Sequence, residues 1–254
     1  METGDGRLPP LNVRVIAIIQ ARTGSTRLPR KVFEDLGGEA MLARVVRRVR
    51  EARLVDDVVV ATTRSEGDDA IAELAEAEGW LLFRGSEEDV LDRYWQAAKA
   101  HDADVIVRVC SDCPMTSPQV IDGVVEALLD DPECDYAANN FAPASYPKGL
   151  DVEVFRRGAL ELAWREDTRM EWREHVTPYL RRNPDRFRQR ALQHSEDLSA
   201  SRWTVDTPED LAFIRALIGA APEAADWLSC VEVERAHPEW STLNRHVEQR
   251  RVPS

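Results

Sequence analysis

Residues 13–31 read Val-Arg-Val-Ile-Ala-Ile-Ile-Gln-Ala-Arg-Thr-Gly-Ser-Thr-Arg-Leu-Pro-Arg-Lys. The first part, Val13–Ile19, is a nearly continuous apolar run, which is typical of a parallel strand buried on both faces. The second part, the basic loop Gln20–Lys31, holds one glycine, three hydroxyl and four cationic side chains. Since glycine lets backbone N–H groups turn inward and cations attract a polyanion, the stretch predicts a triphosphate-binding loop where the strand ends. An ordinary basic turn between a strand and a helix fits the same residues.

Strand and helix patterns alternate four times in the first half of the chain. Short apolar runs predict strands at Val13–Ile19, Val58–Thr62, Trp80–Phe83 and Val105–Val109. Amphipathic stretches predict a helix over Met41–Arg53 and further helices from start signals at Ser65, Ser86 and Ser117. This alternation predicts right-handed βαβ units and a largely parallel sheet.

The pattern loosens in the second half. Short strands are predicted at Asp135–Asn139, Val152–Phe155, Arg188–His194 and Trp203–Asp206. Helices are predicted at Arg157–Glu166, at Met170–Arg181, after Thr207-Pro208, and over Trp227–Arg250. We therefore expect a flexible N-terminal tail (residues 1–11), one α/β domain (12–218) and a helical C-terminal extension packed on it (219–254).

The composition narrows the class of protein. A net charge of −13 argues against nucleic acid as a general partner, because binding its backbone needs a broad basic surface. No run of about 20 apolar residues occurs, so no membrane span is expected. The four cysteines form no regular framework, which suggests a reducing cytoplasm. Cys110 and Cys113 are spaced as Cys-x-x-Cys, but packing of two small side chains is the default interpretation.

Two aspartates follow predicted strands at their C-terminal ends. Asp112 lies just beyond Val105–Val109, and Asp206 ends the predicted strand Trp203–Asp206. Carboxylates at this edge of the sheet can bind Mg²⁺ together with substrate phosphates, although each can also serve as a plain turn or helix-entry residue. No Walker A sequence occurs, so the basic loop and these carboxylates predict a magnesium–nucleotide site of another kind.

The chain resembles the cytidylyltransferases related to CMP-ketodeoxyoctonate and CMP-sialate synthetases, most of all the branch named for spore coat polysaccharide biosynthesis protein F. The matching motifs are Gln20–Lys31, Thr62–Thr63, Asp68–Asp69, Phe83–Tyr94, Arg108–Pro114, Tyr146–Phe155, Arg173–Tyr179, Trp203–Asp210, His237–Glu239 and Asn244. They stand in the family's order from about Val13 to Arg250. Such a series is specific for the family and much less so for the substrate.

The resemblance implies a single, glycosyltransferase-A-like, Rossmann-like domain with a mixed, mainly parallel sheet. It implies transfer of CMP from CTP to a small anionic acceptor, with release of pyrophosphate, in surface-glycan or specialised-metabolite biosynthesis. It also implies Mg²⁺ held by Asp112 and Asp206, a cytoplasmic location, and homodimers in some relatives.

The resemblance also assigns site residues. The catalytic set is Arg22, Lys31, Asp112 and Asp206. The nucleotide-binding set is Gln20, Ala21, Arg22, Gly24, Ser25, Arg27, Lys31, Thr62, Arg84, Ser86 and Asp112. The acceptor-binding set is Asp151, Glu153, Glu174 and His175. For His175, a general base and a structural hydrogen-bonding role fit equally well.

Two residues depart from the family pattern, and three rival functions stay open. Arg30 stands where the family usually has glycine, and Lys148 stands where an acidic or neutral residue is common. Both departures fit an unusual anionic acceptor, and both fit neutral change at the protein surface. A sugar-1-phosphate nucleotidyltransferase using another NTP is the nearest rival. A glycosyltransferase of the same fold would need an Asp-x-Asp after a strand, whereas Asp102-x-Asp104 precedes one. A non-catalytic nucleotide-binding protein is the third rival.

Overall fold

A seven-stranded mixed sheet forms the centre of the protein. The computed structural model describes residues 13–141, 143–221 and 225–247. In chain order the strands are β1 (Val15–Gln20), β2 (Asp57–Thr63), β3 (Leu81–Gly85), β4 (Val105–Cys110), β5 (Tyr136–Ala138), β6 (Glu153–Arg156) and β7 (Gln189–Ala191). Their order in the sheet is β3-β2-β1-β4-β6-β5-β7. Only β6 runs against its neighbours within the described residues, so the predicted mainly parallel sheet is confirmed.

Helices cover both faces of this sheet. They are α1 (Met41–Arg50), α2 (Asp69–Ala77), α3 (Val90–Ala100), α4 (Pro118–Leu129), α5 (Arg157–Glu166), α6 (Met170–Arg173), α7 (Pro178–Arg181), α8 (Pro208–Ala220), α9 (Trp227–Ala236) and α10 (Ser241–Asn244). Apolar side chains of α1, α2, α4, α8 and α9 pack on one face, and those of α3, α5, α6 and α7 pack on the other. Within the described ranges, no helix combines the length and apolarity needed to cross a bilayer.

Local signals set several helix starts as predicted. The Ser117 side chain accepts a hydrogen bond from the Val120 N–H at the start of α4. Thr207 and Asp210 form a reciprocal capping box at the start of α8. The other two predicted starts are wrong: Ser65 makes no capping bond and precedes a 3₁₀ turn, and Asp89 caps α3 in place of Ser86.

Two predicted long helices are broken. The stretch 170–181 divides into α6 and α7 around Val176, whose φ of 69° lies in the left-handed region, and Pro178, which starts α7. The stretch 227–250 divides at His237-Pro238, where α9 ends and a 3₁₀ turn over Pro238–Trp240 begins. Proline lacks the N–H that continues a helix, so a helix breaks there even where the apolar spacing stays helical. Residues 1–12 and 248–254, including the predicted N-terminal tail, lie outside the described residues.

The predicted strand Trp203–Asp206 is also wrong, and its actual form brings the site together. The residue before this segment, Arg202, makes an isolated bridge with Lys148, and Trp203–Asp206 itself forms no strand. Its N–H groups bond to different partners, with Trp203 N–H donating to Lys148 O at 2.7 Å and Val205 N–H to Asp112 O at 2.9 Å. The segment is therefore fastened beside the end of β4 without joining the sheet.

A glycine permits that close approach. Gly149 has φ of 99°, and a Cβ there would lie 2.7 Å from the Trp203 carbonyl carbon. Only glycine adopts this conformation readily and also leaves room for the neighbouring backbone.

Candidate active site

Lys31 joins the two predicted metal-binding carboxylates. Its Nζ donates to Asp112 Oδ2 at 3.0 Å, to Asp206 Oδ1 at 2.8 Å and to Val205 O at 2.7 Å. Asp112 stands two residues beyond β4, and Asp206 stands just before α8. Lys31 begins a 3₁₀ turn at the end of the basic loop. Three separate parts of the chain thus bring two carboxylates and one ammonium to the C-terminal edge of the sheet. This is the edge at which the sequence predicts the ligand site.

Burial and charge set the protonation of this cluster, which we call the carboxylate cluster (Lys31, Asp112 and Asp206). Burial disfavours the ammonium of Lys31, but Asp112 and Asp206 outweigh it and raise its pKa above the ordinary value. Burial also disfavours the Asp206 carboxylate, and Lys31, with Arg27 and Arg202, lowers its pKa below the ordinary value. Lys31 and Asp206 are therefore both charged at neutral pH.

Further cations and a buried carboxylate hold Asp206 in place. Arg27, in the basic loop, lies 3.0 Å from Asp206 Oδ2. Arg202 donates to the same oxygen at 3.0 Å and also binds the fully buried Asp210. Asp210 in turn accepts the backbone N–H of Asp206 at 3.0 Å. Arg202 and Asp210 were missed as functional residues, although Asp210 belongs to the capping box that the sequence does show.

A buried aspartate fixes the start of the basic loop. Asp68 Oδ1 accepts both the backbone N–H and the hydroxyl of Thr23, at 2.7 and 2.8 Å, while Asp68 Oδ2 accepts the hydroxyl of Thr63. Although burial opposes it, these bonds lower the pKa of Asp68. Asp68 thereby ties the loop to the end of β2. The sequence shows only an aspartate beside a helix start, so this role was missed.

Arg30, which stands where the family usually has glycine, keeps a backbone conformation that glycine favours. Its φ is 57° and ψ 23°, which is the left-handed region that glycine adopts without strain. Its guanidinium carbon lies 5.0 Å from the centre of the Phe33 ring. Gly24 does not adopt a positive φ, and a Cβ there would meet nothing within 4 Å. The backbone turn attributed to the loop's glycine is therefore made at Arg30.

The remaining residues of the basic loop differ in exposure. Arg22 is 48% exposed and its nearest carboxylate oxygen, on Glu174, lies 3.8 Å away. Ala21 is buried and continues β1 by donating its N–H to Ala61 O. The Ser25 hydroxyl accepts the Leu28 N–H within the loop. Arg22 is thus an exposed cation of the loop, and it lies beside the acceptor-side residue Glu174.

Thr62, Arg84 and Ser86 of the predicted nucleotide-binding set lie at the ends of β2 and β3, where Thr62 and Arg84 are register partners, but their polar groups are buried or bound to protein. Thr62 is fully buried, and its hydroxyl has no hydrogen-bond partner among the described residues. Arg84 donates to Thr63 O and Ser65 O and pairs with Asp69 at 2.7 Å, so its guanidinium ties β2 to α2. The Ser86 hydroxyl accepts the Asp89 N–H ahead of α3.

The four acceptor-side residues occupy two different environments. Glu174 is 56% exposed and His175 is half-buried. Glu153 is 2% exposed and is paired with Arg108, while its carboxylate also accepts the hydroxyls of Tyr136 and Thr177. The expectation that Glu153 faces an acceptor is therefore not met, because its oxygens bind protein groups.

Asp151 and His175 have perturbed protonation. Burial raises the pKa of Asp151 against the opposing hydrogen bond from the Gly149 N–H, and the charge of Glu153 adds to the rise. Burial lowers the pKa of His175. The charge of Arg108 lowers this pKa further, and the charge of Glu174 acts in the opposite direction. At neutral pH His175 is therefore uncharged.

The carboxylates of the cluster are of the kind that a divalent cation takes as ligands. Oxygens of Asp112 and Asp206 both lie within 3.0 Å of Lys31 Nζ, so the ammonium occupies the position that these two oxygens share. Hard carboxylate oxygens are the ligands that Mg²⁺ uses when substrate phosphates supply the rest. Across the described ranges, no group of three or more His, Cys, Asp or Glu side chains is arranged to hold a metal alone.

The Cys-x-x-Cys pair flanks Asp112, with Cys113 Sγ donating to Asp112 Oδ1 at 3.6 Å, whereas the Asp-x-Asp pair lies far from the carboxylate cluster. Burial raises the pKa of Cys110 to about 12, and all four cysteines are free thiols. Asp104 accepts the Arg14 N–H at 3.0 Å and donates its own N–H to Arg14 O, at the N-terminal ends of β1 and β4. The Asp102-x-Asp104 pair is therefore at the opposite edge of the sheet from the carboxylate cluster.

The fold and these residues define an α/β nucleotidyltransferase, and comparison with known proteins gives its family. The sequence profile of the cytidylyltransferases matches residues 16–242. The chain is 36% identical over 219 residues to the spore coat polysaccharide biosynthesis protein SpsF of Bacillus subtilis, covering 84% of this chain and 89% of that protein. It is 31% identical over 245 residues to the 3-deoxy-manno-octulosonate cytidylyltransferase of an Anaeromyxobacter species, covering 82% and 98%.

A solved structure agrees with these relatives. The structure of a cytidylyltransferase from Leptospira borgpetersenii superposes with a TM-score of 0.86 at 30% identity, covering 94% of this chain and 100% of that one. The chain belongs to the cytidylyltransferase family. The predicted family, the enzyme class and the single-domain Rossmann-like fold are confirmed.

Proposed function

We propose that this protein transfers CMP from CTP to a small anionic acceptor, such as a sugar acid, and releases pyrophosphate. The observation that carries the proposal is the carboxylate cluster, in which Lys31 joins Asp112 and Asp206 directly beside the basic loop. Membership in the cytidylyltransferase family supports CTP as the nucleotide. The residue roles below are part of the proposal.

The chemistry needs positioning and positive charge. The acceptor oxygen attacks the α-phosphorus of CTP, the bond to the bridging oxygen breaks, and pyrophosphate leaves while the attacking hydroxyl loses its proton. Arg22, Arg27 and Lys31 supply cations at the edge of the sheet for the charge that develops on the leaving group. Asp112 and Asp206 would hold Mg²⁺, which supplies further positive charge to the phosphates when bound.

Acceptor binding falls to Glu174, His175 and Asp151. Glu174 is exposed and lies 3.8 Å from Arg22, His175 follows it in the chain, and the partly buried Asp151 follows the Gly149 turn that packs on residues 203–204. The acceptor classes that we propose are a sugar acid, another sugar derivative used for a surface glycan, or a phosphonate. We place the reaction in the cytoplasm, which the four free thiols support, and retain the homodimer as a prediction.

A pyrophosphate-release screen tests the proposal. Each NTP, with Mg²⁺, is incubated against a panel of sugar acids, sugar phosphates and phosphonates. We expect release with CTP and at least one acceptor. Lys31→Met should abolish most of that release, whereas Lys99→Met, at an exposed lysine of α3, should leave it intact. Release with another NTP and none with CTP would overturn the nucleotide assignment.

A further inference from the structure

A row of polar side chains crosses four neighbouring strands near the basic loop. Gln20 on β1, Arg108 on β4, Glu153 on β6 and Tyr136 on β5 lie on strands that are adjacent in the order β1-β4-β6-β5. Side chains alternate between the faces of a strand, and these four share the face on which Ile18, Ile106 and Phe155 pack. We call this set the polar row.

The bonds along the polar row fix the direction of every group in it. Glu153 accepts from Arg108, from the Tyr136 hydroxyl and from the Thr177 hydroxyl, the last at 2.7 Å. Arg108 is held by Glu153 on one side. On its other side, its Nη2 donates to Gln20 Oε1 at 3.3 Å. The Arg108 side chain is 14% exposed and the Glu153 side chain 3%, so water competes little for these bonds.

The chemistry of Arg108 decides how the Gln20 amide is turned. Arginine has donors and no acceptor, so the part of the amide that faces it must be the oxygen. The Nε2 group of Gln20 then points away from Arg108. It has no hydrogen-bond partner within residues 13–141, 143–221 and 225–247. An oriented donor pair is left where β1 passes into the basic loop.

We propose that Arg108 is a positioning residue, which, held by Glu153, orients the Gln20 amide so that Nε2 donates a hydrogen bond to an oxygen of bound CTP. This inference rests on the proposed function, because it takes CTP as the ligand of the basic loop. A buried ion pair adds little net stability, and fixing the direction of a neighbouring polar group is a use that such a pair can serve. Glu153 would thereby influence nucleotide binding through Arg108 and Gln20, without contacting the nucleotide itself.

Calorimetric titration of CTP, with Mg²⁺ and no acceptor, tests the inference in a mutant cycle. Loss of one hydrogen bond should raise the dissociation constant about two- to tenfold in Gln20→Ala and in Arg108→Met. Because Arg108 acts through Gln20, the double variant should bind no more weakly than Gln20→Ala alone. A role of Arg108 in general stability would not produce this loss of additivity. Arg165→Ala, at an arginine that is 62% exposed, is the matched control and should bind as the wild type does.

A second set of variants guards against unfolding of Arg108→Met, which leaves Glu153 buried and unpaired. Arg108→Met with Glu153→Gln removes both charges and keeps an oxygen for Tyr136 and Thr177, and this pair of substitutions takes the place of Arg108→Met in the same cycle with Gln20→Ala. Unchanged CTP affinity without Arg108, or effects that multiply with Gln20→Ala, would overturn the inference alone. Absence of CTP binding by the wild type would contradict both this inference and the proposed function.

Discussion

The carboxylate cluster and the polar row are two charged groupings at one edge of the same sheet, and they differ in how their charges are satisfied. In the cluster, Asp112 is 29% exposed and shares Lys31 with Asp206. In the row, Glu153 is 3% exposed and binds Arg108 and two hydroxyls. The cluster keeps access to solvent and so to a ligand, whereas Glu153 in the row is enclosed by protein donors.

This difference shows that a carboxylate at the right edge of a sheet is not thereby a ligand-binding group. The proposed acceptor set illustrates the point, because Glu153 and Glu174 carry the same functional group. Glu153 is enclosed by protein donors, whereas Glu174 is 56% exposed beside Arg22. We therefore expect mutation of the enclosed Glu153 to affect stability first and mutations in the cluster to affect activity first.

Replacing Glu153 should give the largest effect on stability. Glu153→Ala leaves Arg108 charged in a buried site, which we expect to cost about 3–5 kcal/mol in the free energy of unfolding. Urea denaturation measures this cost. Glu174→Ala is the matched control and should change stability by no more than about 0.5 kcal/mol, because its ion pair is exposed. Equal effects of the two variants would remove the distinction between an enclosed and an exposed carboxylate.

Replacing Asp112 should give the largest effect on activity with little effect on folding. Asp112→Asn keeps the size of the side chain and removes the charge. We expect pyrophosphate release to fall about 10²–10³-fold, since a group of this kind acts on charge in the transition state. The thermal midpoint should stay close to that of the wild type. Near-normal turnover would contradict the metal-binding role of Asp112.

The backbone at Arg30 offers a smaller and sharper comparison. Arg30→Gly and Arg30→Ala both lose the contact with Phe33, but only glycine tolerates the φ of 57° without strain. The glycine variant should therefore be more stable than the alanine variant by about 1 kcal/mol. Thermal denaturation of the two variants side by side measures the difference. Equal stabilities would mean that the loop changes its backbone conformation.

The smallest effect concerns pH. Burial lowers the pKa of His175 below its ordinary value of 6.5, so the unfolded chain takes up the proton first as the pH falls. Stability should be unaffected above pH 6.5 and should decrease from there down to the pKa in the fold. His175→Gln removes this titration, and its stability should decline less between pH 7.5 and 5.5. An identical decline in both proteins would show that His175 does not contribute.

The sequence predicted the sheet and the cluster because their signals are local. An apolar run predicts a buried strand, and a charged residue just after it stands at the edge where ligands bind, as Asp112 does. Helix α5 was predicted to the residue, over Arg157–Glu166. Asp206 was placed at the site although its predicted strand is wrong. Its position depends on contacts with Lys148 and Asp112, which the segment makes without a strand pattern.

The polar row and Asp68 could not be predicted in the same way. Arg108 and Glu153 are 45 residues apart, and nothing in either segment shows that β4 and β6 are neighbours in the sheet. Asp68 resembles a capping residue, whereas its carboxylate binds Thr23. The domain boundary at residues 218 and 219 stays a prediction, and α8 runs through it to Ala220.

The central claim is that the carboxylate cluster serves CMP transfer, and product analysis tests it most directly. CTP, Mg²⁺ and the acceptor found in the screen are incubated with the wild type, and the products are resolved by mass spectrometry. We expect one CMP–acceptor conjugate for each pyrophosphate released, and neither product with Asp112→Asn. Pyrophosphate accompanied only by free CMP, or a conjugate formed at full rate by Asp112→Asn, would contradict the account.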